Sequence, residues 1–102
     1  MLHMVVATHS PENCAAVVPE VAEKALSGYQ RMGEVTKTLG ITVQGAWTNM
    51  PGHTIYFLCD APNAHVINQM AMELHIMDWN TVVVNPVTEM QAAAEKIQQQ
   101  KP

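Results

Sequence analysis

The spacing of apolar positions changes several times along the chain, and each change marks an element. Leu2 to His9 is dense in β-forming residues and stops at Ser10-Pro11-Glu12, which reads as a strand closed by a turn or a helix cap. Residues 11–17 have room for a short turn. Pro19 would break any helix running through it, so the main helix takes Pro19 into its first turn. Val21, Ala22, Ala25, Leu26, Tyr29, Met32, Val35 and Leu39 then recur at helical spacing, with the charged residues opposite and Gly40 as the stop.

Ile41 to Met50 alternates, with Ile41, Val43, Gly45 and Trp47 on one side, and Pro51-Gly52-His53 turns it into Thr54 to Cys59. That pair is a hairpin. Asp60-Ala61-Pro62 announces a second helix, with Asp60 as its cap, that shares Val66, Ile67, Met70, Ala71 and Leu74 on one face and ends near Ile76. A last strand over Thr81 to Asn85 leads to a capping box, Thr88 to Gln91, and a C-terminal helix through about Gln98. A polar tail occupies 97–102.

This order, β-α-β-β-α-β plus a helix, is an α+β, ferredoxin-like split βαβ fold with an antiparallel sheet in the order 4-1-3-2 and its two main helices on one face. Ile55, Phe57 and Cys59 point one way while Tyr56 and Leu58 point the other, and Val83 opposes Val82 and Val84, so both faces of the sheet are apolar. Two helices cover one face. The other is expected to pack on a twofold-related copy, which makes the protein a homodimer or a higher homo-oligomer.

Composition agrees. Only 14% of the residues are charged, which is lean for a chain that keeps its whole surface in water. The length, 102 residues, suits one domain over 1–102. Net charge is −4 with Lys24, Arg31, Lys37, Lys96 and Lys101 scattered, so no footprint for nucleic acid exists. The apolar run Met4 to Ala7 is far too short to span a membrane. Two cysteines, Cys14 and Cys59, without CxxC spacing imply neither a disulfide framework nor a zinc ribbon, and point to a reduced, cytoplasmic protein.

No local catalytic motif is present, so the candidate chemistry comes from what the topology brings together. Strand one ends where strand three begins and where helix two hands over to strand four. That collects His9, His53, His75 and Asp78 at one sheet edge, with Trp47 and Asn49 nearby and Cys14 as a further candidate. Imidazoles with a carboxylate suit Ni, Zn, Cu or Fe. Against this, His53 in a turn and His75 at a helix C-terminus are also ordinary surface positions. His75 with Asp78 is the one pair suited to proton transfer. The opposite edge gathers His3, Cys59 and His65, a weaker set. A third option is an apolar pocket, between sheet and helices or between two sheets, lined by Met4, Trp47, Tyr56, Phe57, Met70, Met72 and Met77; each of these residues, taken singly, fits a plain core position better.

Pro19-Glu20-Val21-Ala22-Glu23, the Trp47 strand with its hairpin, and the closing Val82 to Val87 segment resemble, in order and spacing, the dimeric α+β barrel superfamily, including muconolactone isomerase-like chains. Ala46-Trp47, Thr54-Ile55-Tyr56, Ala61-Pro62, His75 and Asp78 are also similar to a small ferredoxin-like family of unknown function, one branch of which is described as nickel-binding. That family often carries a cysteine where this chain has Phe57. The resemblance implies a metal ion or a small ligand. By the same likeness, haem is an alternative cofactor, with His75 or His65 as axial ligand and Trp47, Tyr56 and Met70 in the pocket. It also implies, as a second function, a cofactor-poor isomerase or monooxygenase acting on a small apolar substrate.

Overall fold

A computed structural model describes residues 1–101; Pro102, the last residue of the expected polar tail, lies outside the described residues. Its strands are β1 (Leu2–Thr8), β2 (Thr42–Asn49), β3 (Thr54–Asp60) and β4 (Thr81–Pro86), and its helices α1 (Pro19–Leu39), α2 (Ala64–Glu73) and α3 (Met90–Gln99). Short 3₁₀ turns occupy Pro11–Asn13 and Ile76–Asp78. All strand pairs are antiparallel, in the order β2-β3-β1-β4. This is the α+β sheet the sequence predicts, read from its other edge.

Period-2 burial fixes the faces. His3, Val5 and Ala7 of β1 are buried with Phe57 and Cys59 of β3, under α1 and α2. Val35, Ile67, Met70, Leu74 and Ile76 complete that core. Leu2, Met4 and Val6, with Tyr56 and Leu58, lie on the opposite face and are only half-buried.

Several details depart from the sequence reading. An irregularity between Val43 and Gly45 breaks the alternation of β2. Val43 pairs with Cys59 and packs on the core, whereas Gly45 and Trp47 pair with Leu58 and Tyr56 on the other face. On α1, Leu26 and Tyr29 are 62% and 76% exposed, and the buried line runs instead through Val21, Gly28, Val35 and Thr36. Gly28 is the reason. A Cβ there would stand 2.9 Å from the carbonyl oxygen of Leu74, so α1 and α2 make their close approach at a residue that a search for apolar side chains passes over.

Asp60 does not cap α2. It binds the N-terminal ammonium of Met1 at 2.8 Å, and Asn63 caps the helix by accepting from the Val66 amide at 3.0 Å. The helix ends at Glu73, earlier than expected, because Leu74 is its C-cap and His75 then adopts a left-handed conformation (φ 59°). The Thr88 capping box also fails to form. Val87 N–H still bonds the Leu2 carbonyl, and α3 opens at Met90 behind Glu89 without a side-chain cap.

α3 includes residues 97–99 of the expected tail and buries none of its side chains, with Met90 88% and Ile97 65% exposed. The molecule measures 59 × 31 × 18 Å. Among the described residues no helix is long and apolar enough to cross a membrane.

Candidate metal centre

His9 follows the last residue of β1 and His53 precedes the first residue of β3, two positions joined by the Thr8–Thr54 pairing. The His9 amide bonds the His53 carbonyl at 3.1 Å, and the His53 amide bonds Met50 O at 3.2 Å to close the β2–β3 turn. His53 sits in this turn with φ 51°, a left-handed conformation that is costly for a residue with a Cβ. Cys14 arrives from the other side of the site, directly after the 3₁₀ turn. Its carbonyl accepts from the Val17 and Val18 amides, and its side chain is buried.

One ligand atom from each of His9, Cys14 and His53 lies within 4.8 Å of the others, and among the described residues this is the group of three that could hold a metal ion. Ligand atoms on an ion at about 2.0–2.3 Å stand roughly 3.3–3.8 Å apart, so side-chain rotation closing the gap by ~1 Å would complete the set. The imidazole rings of His9 and His53 meet edge-on, 5.4 Å between centroids and 75° between planes. His9 also packs on Trp79 at 5.0 Å.

The protonation pattern of His9 follows from its neighbour. Asn80 Nδ2 donates to Ile76 O at 3.1 Å, which turns Asn80 Oδ1 towards His9 Nδ1 at 2.9 Å. An amide oxygen only accepts, so Nδ1 is the donor, and in the neutral ring Nε2 then carries the lone pair. That Nε2 is buried and has no hydrogen-bond partner, as is Nδ1 of His53. Orphaned buried polar atoms cost about 1–3 kcal/mol each, and here one falls on each of the two imidazoles of the group.

A cavity of about 60 Å³ adjoins the group, lined by His9, Cys14, Met50 and His53 with Ala15, Ala16, Thr48, Asn49, Ile55 and Trp79. No carboxylate faces it. Of the residues the sequence assigned to this edge, His9 and His53 meet there, Asn49 lines the cavity, and Cys14 is the third member of the group. His75 and Asp78 stand apart from the group of three. His75 Nδ1 contacts Asp78 Oδ2 at 3.1 Å, and Lys24 Nζ donates to the same oxygen at 3.2 Å, on the exposed surface. The Lys24 hydrogen bond, above all, holds the Asp78 carboxyl below the usual carboxylate range, and His75 adds to it. His75 and Asp78 therefore do contact each other, tied to a lysine rather than to the half-buried His9 and His53.

The family of the chain can now be stated, since residues 1–101 match a single description, "Domain of unknown function (DUF3303)". The chain belongs to the DUF3303 family. No curated protein matches it. The DUF3303 description assigns no activity, so the chemistry of this member has to be read from its own residues.

The remaining candidates of this DUF3303 chain fall elsewhere. His3 and Cys59 face each other across β1 and β3, both fully buried, and burial pushes the Cys59 thiol up to about 11. His3 Nδ1 lies 3.0 Å from Met1 O, and its Nε2 has no partner. His65 is exposed on α2. An apolar cavity of about 240 Å³ does lie between α1 and the sheet, lined chiefly by Ala25, Gly28, Met32, Phe57, Leu74 and Trp79, with Trp47 at its wall and Lys24 at its rim. Of the expected lining Phe57 reaches it, and Trp47 borders it although its ring lies over Gly45 on the uncovered face. Met70 is sealed in the core, Met72 and Met77 are 59% and 40% exposed, and Met4 and Tyr56 lie on the uncovered face.

Asn80, Met50 and the Trp79 wall were absent from the sequence reading of the metal edge. Asn80 carried one signal. It directly precedes the strand β4, whose start the pairing of Thr8 with Thr81 sets beside His9.

Proposed function

We propose that this protein binds a transition-metal ion through His9, Cys14 and His53. The observation that carries the reading is the group itself, with one ligand atom of each of His9, Cys14 and His53 within 4.8 Å of the others and a buried, unpartnered nitrogen on both imidazoles. Two imidazoles and a thiolate are a borderline-to-soft set that favours Zn, Cu, Ni or Fe over Mg or Ca. With three protein ligands, a fourth position stays open. The likeness to a family with a nickel-binding branch supports a transition metal without choosing one.

The test is metal analysis of tag-free protein purified reduced, followed by Co(II) titration of the apo form. One equivalent per chain, with a thiolate-to-cobalt absorption that disappears in Cys14→Ser and His53→Ala, is the expected result. Retention of metal in both variants would sink the reading. His75→Ala reports whether the outer His75–Asp78 pair takes part.

A second reading is favoured by the apolar cavity, whose walls include Thr48, Ile55 and Trp79, residues that also line the metal cavity. A small apolar molecule held there would lie one side-chain thickness from the ion. Its volume suits a single aromatic ring, by comparison with the ~150 Å³ engineered cavity that binds benzene. An enzyme acting on such a substrate is the corresponding function. Fluorescence quenching of Trp79 by monocyclic aromatics, abolished in Ala25→Phe, tests it.

The assembly belongs to the same proposal. The uncovered face, with Met4, Val6, Trp47, Tyr56, Leu58 and Val83, is apolar enough to seat a second copy of the chain.

A further inference from the structure

We infer that the ion is copper, held in a trigonal set by His9, Cys14 and His53 with the Met50 thioether as fourth donor. This rests on the metal reading above and commits it to one element and one additional ligand.

Met50 and His53 are the two ends of a single tight turn, joined by the His53 amide to Met50 carbonyl hydrogen bond. Residues so placed have Cα atoms within about 7 Å. Met50 lines the same small cavity as the three ligands. Its sulfur accepts from the Thr48 hydroxyl at 3.8 Å, a weak contact that orients the side chain and leaves a lone pair on sulfur. Two imidazoles, a thiolate and a weaker thioether form the donor set associated with copper, and thioether sulfur discriminates against harder divalent ions.

Charge balance points the same way. The cavity wall holds no carboxylate, so the thiolate of Cys14 is the one anionic ligand available. Cu(I) on that thiolate is neutral. Zn(II) would leave a net positive charge in a small site walled by Ala15, Ala16, Ile55 and Trp79, where uncompensated charge is penalised. Thr48 and Asn49, the other polar residues of the wall, carry no charge that could offset the excess.

The experiment compares apo wild type with Met50→Leu and Cys14→Ser under anaerobic, reducing conditions. Met50 is 54% exposed and the leucine conserves volume, so folding is preserved. Cu(I) affinity is measured by competition with a colorimetric Cu(I) chelator and Zn(II) affinity with a zinc dye. Separately, Cu(II) is added to reductant-free protein and the visible spectrum recorded. We expect one Cu(I) per chain, a loss of about tenfold or more in Cu(I) affinity in Met50→Leu, and Zn(II) affinity there within about threefold of wild type. Cu(II) should give an intense thiolate-to-copper band, absent in Cys14→Ser and displaced in Met50→Leu. Equal loss of both metals in Met50→Leu, no loss of copper, or tighter binding of Zn(II) than of Cu(I) would each overturn the copper assignment while leaving a metal site standing. Failure of every metal to bind would remove both.

Discussion

Asn80 Oδ1 accepts a hydrogen bond from His9 Nδ1 at 2.9 Å, and this contact leaves Nε2 of His9 as a bare lone pair inside the protein. Asn80 is thus a positioning residue for the proposed ion. Asn80→Ala should weaken metal binding by about 10–100-fold, the usual cost of removing such a partner. Asn80→Asp, which keeps an acceptor at Nδ1, should recover most of the loss. Titration of the apo variants reads both, and equal affinity in Asn80→Ala and wild type would assign Asn80 to packing alone.

His53 holds a left-handed backbone at φ 51°. Glycine adopts that conformation without a steric penalty, although it also loosens the unfolded chain. His53→Gly should therefore leave the apo protein as stable as wild type or more so, by up to about 1 kcal/mol, while it abolishes metal binding. Urea unfolding of the two apo proteins gives the comparison. A clear destabilisation would show that the imidazole supports the fold rather than a ligand site.

Cys59 titrates late because burial penalises its thiolate, and its pKa rises to about 11 from an ordinary value of 9.0. The sign is that of an acid kept neutral by the fold. Its contribution to stability is complete below pH 9 and declines between pH 9 and about 11, because the unfolded chain releases the proton first. Wild type should lose stability over this window faster than Cys59→Ala, measured by denaturant midpoints from pH 7.5 upwards. Parallel curves would mean that Cys59 ionises freely in the native state.

Leu58 lies on the uncovered face opposite Met4. Leu58→Arg should convert a dimer into a monomer in sedimentation experiments while far-ultraviolet circular dichroism stays unchanged. A wild-type protein that sediments as a monomer at micromolar concentration would contradict the expected pairing of sheets.

The strands and helices were legible because their apolar periods are clean, from the Pro19 start and Gly40 stop of α1 to the paired apolar faces of β3. The limits lay where packing replaces hydrophobicity as the signal. Gly28 is buried by proximity to Leu74 and not by any side chain of its own, and the irregularity in β2 shifts Val43 to the core without altering composition. Topology alone brought His9 and His53 together, since both flank the β1–β3 pairing. It also drew in His75 and Asp78 from the same edge. The left-handed conformation at His75 and the Lys24 ion pair, neither of which has a spacing signature, set those two on the surface. Cys14 had been within reach, yet only the 3₁₀ turn at Pro11–Asn13 brings its thiol inwards.

α3 carries a different implication. A ten-residue helix with no buried side chain is shorter than the ~12–15 residues that an isolated helix needs to persist in water. In the proposed dimer, a second copy that covered Met90 and Ile97 would supply that order. The C-terminus would act as a gauge of occupancy, folding as contacts form and fraying as the protein is diluted.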